Sequence, residues 1–408
     1  MIQNFTIKNF KSFREATLPL APLTVLIGAN ASGKSNAVEA IQLLSWLTSG
    51  RPLNDLLYAV REQELFLRGG FTNLSGDGGE VSLGCEVTEN PERSPLTFSI
   101  SFRVTEQGLG ITGERVLLGA TTLYSSQGKP EKLGRSTNPR FQTIMEELRE
   151  QHSEALSQYV PLASALSSTF FLEPEPRRMR EYSFLQEKRL KGDGSALSSV
   201  LRHLTEEDGK KAKILEIIRA LPEQDISDIT YLETPRGEAM VQLHETFGGK
   251  AVPREAALLS DGTLRVLAVA AALFSIPEGS VIVVEEIDNG VHPSRAEKLL
   301  LDIQKIARER DLRVLLTTHN PALLDAIPPE AVPDTVACYR DPEEGDSRLI
   351  RLEDLESYPE LVAQGPVGRL VTKGILDRYL KAPEKRDEDA KVERGLAWIS
   401  EFRRARSS

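Results

Sequence analysis

Residues 21 to 36, Ala-Pro-Leu-Thr-Val-Leu-Ile-Gly-Ala-Asn-Ala-Ser-Gly-Lys-Ser-Asn, constrain this chain more than any other stretch. Leu23 to Ile27 form a short apolar run rich in β-branched residues. Gly28 opens the pattern G-x-x-x-x-G-K-S, which Gly33, Lys34 and Ser35 complete, and Val38, Ile41, Leu44 and Leu47 follow at helical spacing. Strand, glycine loop and helix in that order are the context a phosphate-binding loop requires. Glycine lets the backbone wrap closely, so that successive N–H groups point at phosphate oxygens, and the helix N-terminus adds partial positive charge. Gly28, Asn30, Ser32, Gly33, Lys34, Ser35 and Asn36 are therefore the candidate nucleotide-binding residues. Lys34 can reach the β- and γ-phosphates, and the Ser35 hydroxyl can ligate Mg²⁺. The competing explanation, a glycine turn ahead of a buried helix, leaves the two correct flanks unexplained.

A chain of 408 residues suits two or three domains, or one elaborated domain. The formal net charge of −10 favours solubility and gives no global attraction to nucleic acid or anionic membrane, though it leaves room for a local basic groove. Cys85 and Cys338 read as two reduced, buried thiols, and no Cys/His cluster has zinc-site spacing. No leader-like apolar region opens the chain and no 18-residue uncharged apolar run occurs, so the expectation is a cytoplasmic protein with no membrane role.

Along the chain, residues 1–68 read as two strands, the phosphate loop and the first helices, with a helical stretch reaching to about Leu67 before Gly69-Gly70. Lys11 and Arg14, in the turn between the first strands, read by default as solvated charges; the alternative is contact with nucleotide or DNA. In residues 69–125 Val81, Leu83, Cys85 and Val87 alternate with polar residues, as do Leu96, Phe98, Ile100, Phe102 and Val104. Period-two alternation of this kind marks an antiparallel β subdomain. Residues 126–222 read as an inserted helical region, and residues 223–340 as the second half of the main lobe. Residues 341–408 read as C-terminal strand, helices and a charged tail. The basic segment Arg177 to Lys191 is better explained as a solvated face than as a nucleic-acid contact.

Leu258-Leu259-Ser260-Asp261-Gly262-Thr263 precedes a helix, Leu264 to Phe274, that is apolar almost all round and therefore buried. Ser260 and Gly262 stand where a helix offers free N–H groups to an anion, and taken alone Ser260 is simply an N-cap. Val281 to Val284 form a buried parallel-type strand that ends in Glu285-Glu286. Carboxylates at the carboxyl end of a strand beside a phosphate loop can hold Mg²⁺ and polarise an attacking water. A further strand, Arg313 to Leu316, ends in Thr317-Thr318-His319, and His319 either reaches a γ-phosphate or caps the next helix.

The order of phosphate loop, Leu-Ser-Asp-Gly-Thr, apolar strand with Glu-Glu, and Thr-Thr-His resembles the ABC-type ATPase heads of the SMC, RecF and OLD-like group. It looks most like the stand-alone bacterial ATPases of AAA-21 or AAA-15 type. The opening Ile-Lys-Asn-Phe-Lys-Ser-Phe and the stretch from Glu286 to Pro293 support this. The resemblance implies an α/β P-loop NTPase of ABC-type head architecture: a mixed central sheet, an antiparallel β subdomain and an inserted helical region. It implies ATP and Mg²⁺ as ligands, Lys34 on the β/γ-phosphates, Ser35 and Glu285 on the metal, Glu286 as catalytic base and His319 as the switch histidine. Glu285 stands where the group carries Asp, one methylene shorter. Val291 and His292 match a loop that contacts a second head. A glutamine loop is expected around Glu173 to Arg180.

Ser260 and Gly262 match the signature that completes the site of another subunit, so the resemblance implies a homodimer with two ATP molecules sandwiched between heads. It also implies an ATP-gated switch in anti-phage defence or DNA maintenance, beside a separate nuclease or toxin effector, with DNA a further candidate partner. No fused nuclease is expected, since only some 75 residues remain after the ATPase motifs. A low-turnover scaffold that holds and releases a partner, and the nucleotide-binding subunit of a transporter, stand as the alternatives.

Overall fold

The computed structural model describes residues 1–381 apart from 50, 52, 54, 63–64, 66, 71–72, 77, 89–93, 106–107, 126–165, 167, 220–224, 248–249 and 288–292. Residues 126–165, 167 and 220–222 of the inserted helical region, the loop holding Val291 and His292, and the charged tail therefore lie outside the described residues.

In chain order the first elements are β1 (Ile2–Phe10), β2 (Phe13–Pro19), β3 (Leu23–Ile27), α1 (Lys34–Thr48) and α2 (Asp55–Arg61). Strands β4 (Val81–Val87), β5 (Leu96–Thr105), β6 (Gly108–Leu118), β7 (Thr121–Ser125) and β8 (Phe170–Leu172) follow, then α3 (Pro176–Met179), β9 (Ser183–Phe184), α4 (Leu197–Arg202) and α5 (Lys211–Ile218). Next come β10 (Ile226–Glu233), β11 (Glu238–Phe247), β12 (Lys250–Glu255), α6 (Asp261–Ser275), β13 (Val281–Val284), α7 (Pro293–Glu309) and β14 (Arg313–Thr317). The described chain closes with α8 (Pro321–Asp325), β15 (Val336–Arg340), β16 (Ser347–Arg351), α9 (Tyr358–Val362), α10 (Val367–Thr372) and α11 (Ile375–Lys381).

The central sheet has the order β16-β15-β3-β14-β13-β8. Its five strands β15, β3, β14, β13 and β8 are parallel, and β16 pairs antiparallel with β15 at one edge. Strands covered on both faces read as near-continuous apolar runs. Every residue of β3, β13 and β14 is buried accordingly, including Thr24, Arg313 and Thr317. One face packs Leu26, Val283 and Leu315 against Ile41 and Leu44 of α1. The other packs Val25, Ile282 and Leu316 against α6 and α7. Helix α6 is apolar all round because it is enclosed: Gly262 to Leu264 and Val266 to Phe274 are buried.

The alternating segment folds as expected, but its sheet is composite. The order β2-β1-β4-β5-β6-β7 joins the two N-terminal strands to the later ones, with Phe5 opposite Cys85 and Ile7 opposite Leu83. Strand β1 thus finds its partner across the whole phosphate-loop unit. A third sheet, β10-β11-β12 with β9 on β11, covers α4 and α5. Strand β12 escapes the sequence pattern because it is an edge strand with no buried residue and Pro253 in its middle. Helix α2 ends at Arg61, short of Leu67, and both Leu65 and Leu67 are buried beyond it.

Candidate functional site

Parallel strands deliver their carboxyl ends to one edge of a sheet, and ligands bind in the crevice there. Here the phosphate loop follows β3, Thr317-Thr318-His319 ends β14, and Glu285-Glu286 follows β13. Arg340 ends β15, and Glu173 follows β8. A cleft of about 440 Å³ opens at this edge. It is lined by Ala29 to Asn36, Arg68, Glu285, Glu286, Thr317, Thr318, His319 and Arg340. Of the sequence candidates, Asn30, Ser32, Gly33, Lys34, Ser35, Asn36, Glu285, Glu286 and His319 all meet there. Gly28 stands at the strand end, accepting from the Lys34 side chain.

The loop shape has two local causes. Gly28 and Gly33 adopt φ of 153° and 120°. A Cβ on Gly28 would run into the Cys338 carbonyl, and one on Gly33 into the Ser347 hydroxyl. Both positions need glycine for conformation and for the approach of β15 and β16. Ser347 Oγ donates to the Ser32 carbonyl at 2.6 Å and is hydrogen-bonded to Ser12 Oγ at 2.7 Å, and the Asn36 amide donates to Ser12 Oγ, also at 2.7 Å. Asn36 therefore serves here as a brace of the loop. The Ser32 hydroxyl is buried and has no partner among the described residues. The Lys34 ammonium rests on the loop's own carbonyls, Gly28 O at 2.5 Å and Ala29 O at 3.1 Å, and burial lowers its pKa.

The opposite wall is acidic. Burial pushes the Glu285 carboxyl up to about 7, with the Glu173 and Glu286 carboxylates adding to the rise and the Arg68 guanidinium opposing it. Glu286 holds a left-handed backbone, φ 50°, and its N–H donates to Thr317 Oγ1 at 3.2 Å. A non-glycine residue held there stores strain of about 1–3 kcal/mol, a mark of functional positions. The cluster fits a divalent cation: three carboxylates crowd one edge, and Ser35 and Glu285 are hard oxygen donors. Among the described residues no three His, Cys, Asp or Glu side chains form a metal cage. That suits Mg²⁺ carried by a phosphate chain, which needs one or two protein ligands.

Ser260 and Gly262 stand apart, outside the lining of the cleft. Ser260 is exposed and caps α6, its Oγ accepting from Thr263 N at 3.1 Å. Gly262 is buried. Arg180 fixes this turn, its Nη2 donating to Asp261 Oδ1 at 2.6 Å and to Leu259 O at 2.9 Å. Elsewhere in the basic segment Arg178 pairs with Glu175, Lys188 with Glu207 and Lys191 with Glu187.

Two family descriptions match in the order of the fold. Residues 1–87 match "AAA ATPase domain", and residues 138–325 match "AAA domain, putative AbiEii toxin, Type IV TA system". Among curated proteins, the DNA replication and repair protein RecF of Cyanothece sp. (strain PCC 7425 / ATCC 29141) is 32% identical over 104 residues, 24% of this chain and 26% of RecF. RecF of Gloeothece citriformis (strain PCC 7424) is 23% identical over 233 residues, 55% of this chain and 58% of RecF. The chain thus spans between about a quarter and somewhat over half of these two relatives. Among solved structures, an Smc head bound to the C-winged helix domain of ScpA shares the fold at 15% identity. It has a TM-score of 0.50, covering 86% of this chain and 96% of that one. Together the two family matches, the RecF relatives and the shared fold support an SMC/RecF-like ABC-type ATPase.

Within this SMC/RecF-like head, three site features escape sequence reasoning. Arg68 lines the cleft, tied to Glu39 of α1. Its signal was a glutamate on the buried face of an apolar helix, which demands a buried cation. Lys11 is that second cation: it is no solvated turn charge but is enclosed and paired with Glu39. Arg14 is exposed and pairs with Glu344. Arg340 lines the cleft and donates to Ala31 O at 3.2 Å and Gly345 O at 2.7 Å. The segment expected to hold a glutamine loop does run beside Glu285, whose N–H donates to Leu172 O at 3.1 Å, but its first residue is Glu173. Among the described residues no helix is long and apolar enough to cross a membrane.

Proposed function

We propose that this chain binds and hydrolyses ATP as one head of a homodimer, and that ATP gates its closure. One observation carries the reading: the cleft gathers phosphate loop, acidic pair and histidine, while Ser260 lies exposed outside it. One chain thus holds a nearly complete site, and the missing contact faces solvent where a second copy can supply it.

In this reading Lys34 leaves Gly28 O and Ala29 O for the β/γ-phosphates, and the loop N–H groups take the remaining phosphate oxygens. The Glu286 carboxylate accepts the proton of the attacking water, its strained backbone holding it at the strand end. His319 donates to the γ-phosphate, and the signature turn of the second copy closes the open side. Ser35 and Glu285 would hold Mg²⁺, which offsets charge on the phosphates. A role in anti-phage defence or DNA maintenance, with a separate nuclease or toxin effector, is supported by the toxin–antitoxin description of one matching family and by the RecF relatives.

The first test is light scattering during size exclusion of Glu286→Gln, with and without ATP and Mg²⁺. The expected outcome is a dimer that forms with ATP only. An assembly that ignores ATP would defeat the gate and favour the scaffold reading. That second reading draws on Glu285: a metal ligand that titrates near 7 suits slow turnover and long residence of ATP.

A further inference from the structure

Glu39 is 2% exposed, on the face of α1 that packs into the core. It lies five residues beyond Lys34 on the helix that begins at the phosphate loop. A lone carboxylate in that position would be strongly destabilising. Two cations compensate it. Lys11 Nζ pairs with Glu39 Oε2 and also donates to the Arg68 carbonyl at 2.9 Å. Arg68 donates twice to the same carboxylate, through its backbone N–H to Oε2 at 3.1 Å and through Nε to Oε1 at 2.9 Å.

Arg68 is thereby held at three points, N–H, C=O and Nε, while its side chain stays 54% exposed and lines the cleft. What remains of the guanidinium is its pair of terminal Nη nitrogens, the fork that grips a phosphate in bidentate fashion. The same guanidinium acts electrostatically on Glu285 across the cleft. A long side chain normally gives up much rotamer freedom when it takes hold of an anion. Here Glu39 and Lys11 have removed that freedom in advance.

We infer that Glu39 is a positioning residue of the nucleotide site: its buried carboxylate, balanced by Lys11, aims the Arg68 fork at the phosphate chain of the bound nucleotide. Its effect passes through Arg68, not through contact with the ligand. The inference rests on the reading of the cleft as an ATP site.

The test measures ATP–Mg²⁺ affinity by calorimetry for the wild-type chain, Glu39→Gln, Arg68→Ala, Arg68→Lys and the double variant Glu39→Gln/Arg68→Ala. Glu39→Gln and Arg68→Ala should each weaken binding by about ten- to a hundredfold, the range for a lost hydrogen bond to a charged group. The double variant should be no weaker than Arg68→Ala, because Glu39 has nothing left to aim. Arg68→Lys, which keeps the charge and loses both Nε and fork, should resemble Arg68→Ala. Additive losses in the double variant, or wild-type affinity in Arg68→Lys, would overturn the inference while leaving the ATP site standing. If Glu39→Gln does not fold, Glu39→Asp, which keeps the charge and withdraws it by one methylene, takes its place in the same cycle with the same expectation and the same overturning result. A wild-type chain that takes up no ATP would sink the ATP reading, and this inference with it.

Discussion

The carboxyl edge of the central sheet and the N-terminus of α6 are built in opposite styles. At the sheet edge, Gly28, Gly33 and Glu286 hold positive φ, the Ser32 hydroxyl is buried without a partner among the described residues, and Glu285 is pushed up to about 7. Every one of these features costs folding free energy and suits a bound polyphosphate and cation. At the α6 turn the polar groups are served. Ser260 caps its own helix and Arg180 pairs with Asp261. The difference teaches that one surface carries groups that suit a ligand, whereas the other is stable as it stands; in the proposed dimer it would lend its exposed groups only on contact. A trap and its closure need not be built alike, because only the trap has to be costly before the ligand comes.

The widest split between the two regions should come from a pair of substitutions. Lys34→Ala should weaken ATP binding by about a hundredfold or more, since it removes the cation on the β/γ-phosphates. Ser260→Arg should leave binding by the isolated chain unchanged and abolish ATP-driven dimerisation, read by calorimetry and light scattering. Normal ATP turnover in the Ser260→Arg variant would break the comparison.

A smaller and sharper difference concerns pH. Glu285 must lose its proton to ligate a metal, so Mg²⁺ affinity at the ATP-loaded site should fall as pH drops through about 7. Without ligand the sign reverses for stability. The folded state holds this proton more tightly than the unfolded chain, whose carboxyl titrates near 4.5, so stability is lost as pH rises from about 4.5 to about 7. The loss should be on the order of 3 kcal/mol, and Glu285→Gln should flatten the profile in denaturant melts. A pH-independent Mg²⁺ affinity would remove the electrostatic half of the contrast. The smallest effect belongs to the quiet region: Ser260→Ala should cost about 1 kcal/mol of stability through the lost cap.

The sequence showed what is local. Strand β3, the glycine loop and α1 occupy consecutive residues, and the strand endings Glu285-Glu286 and Thr317-Thr318-His319 are read from a few neighbours each. The parallel strands were legible because burial on both faces leaves their sequences almost continuously apolar. What stayed hidden is non-local. Arg68 and Lys11 meet Glu39 only in three dimensions, and a charged residue in a turn looks solvated until its partner is found. Arg340 gave no signal, since an arginine closing a strand before Asp341-Pro342 has no periodicity to betray it. The composite character of the first sheet was invisible for the same reason, because the pairing of β1 with β4 spans residues of four other elements. Edge strand β12 lacked the apolar alternation that burial would have imposed.

The brace on the phosphate loop has a bearing on how the protein comes into being. The bonds that hold the loop from behind run from Ser347 to Ser32 and Ser12, across 315 and 335 residues of chain. During synthesis Ser32 emerges 315 residues ahead of Ser347, whose strand presses on Gly33. A nascent chain therefore carries the glycine loop without this brace until β15 and β16 have both been made. In the proposed reading, nucleotide capture then reports that the two distant halves of the loop's support have come together.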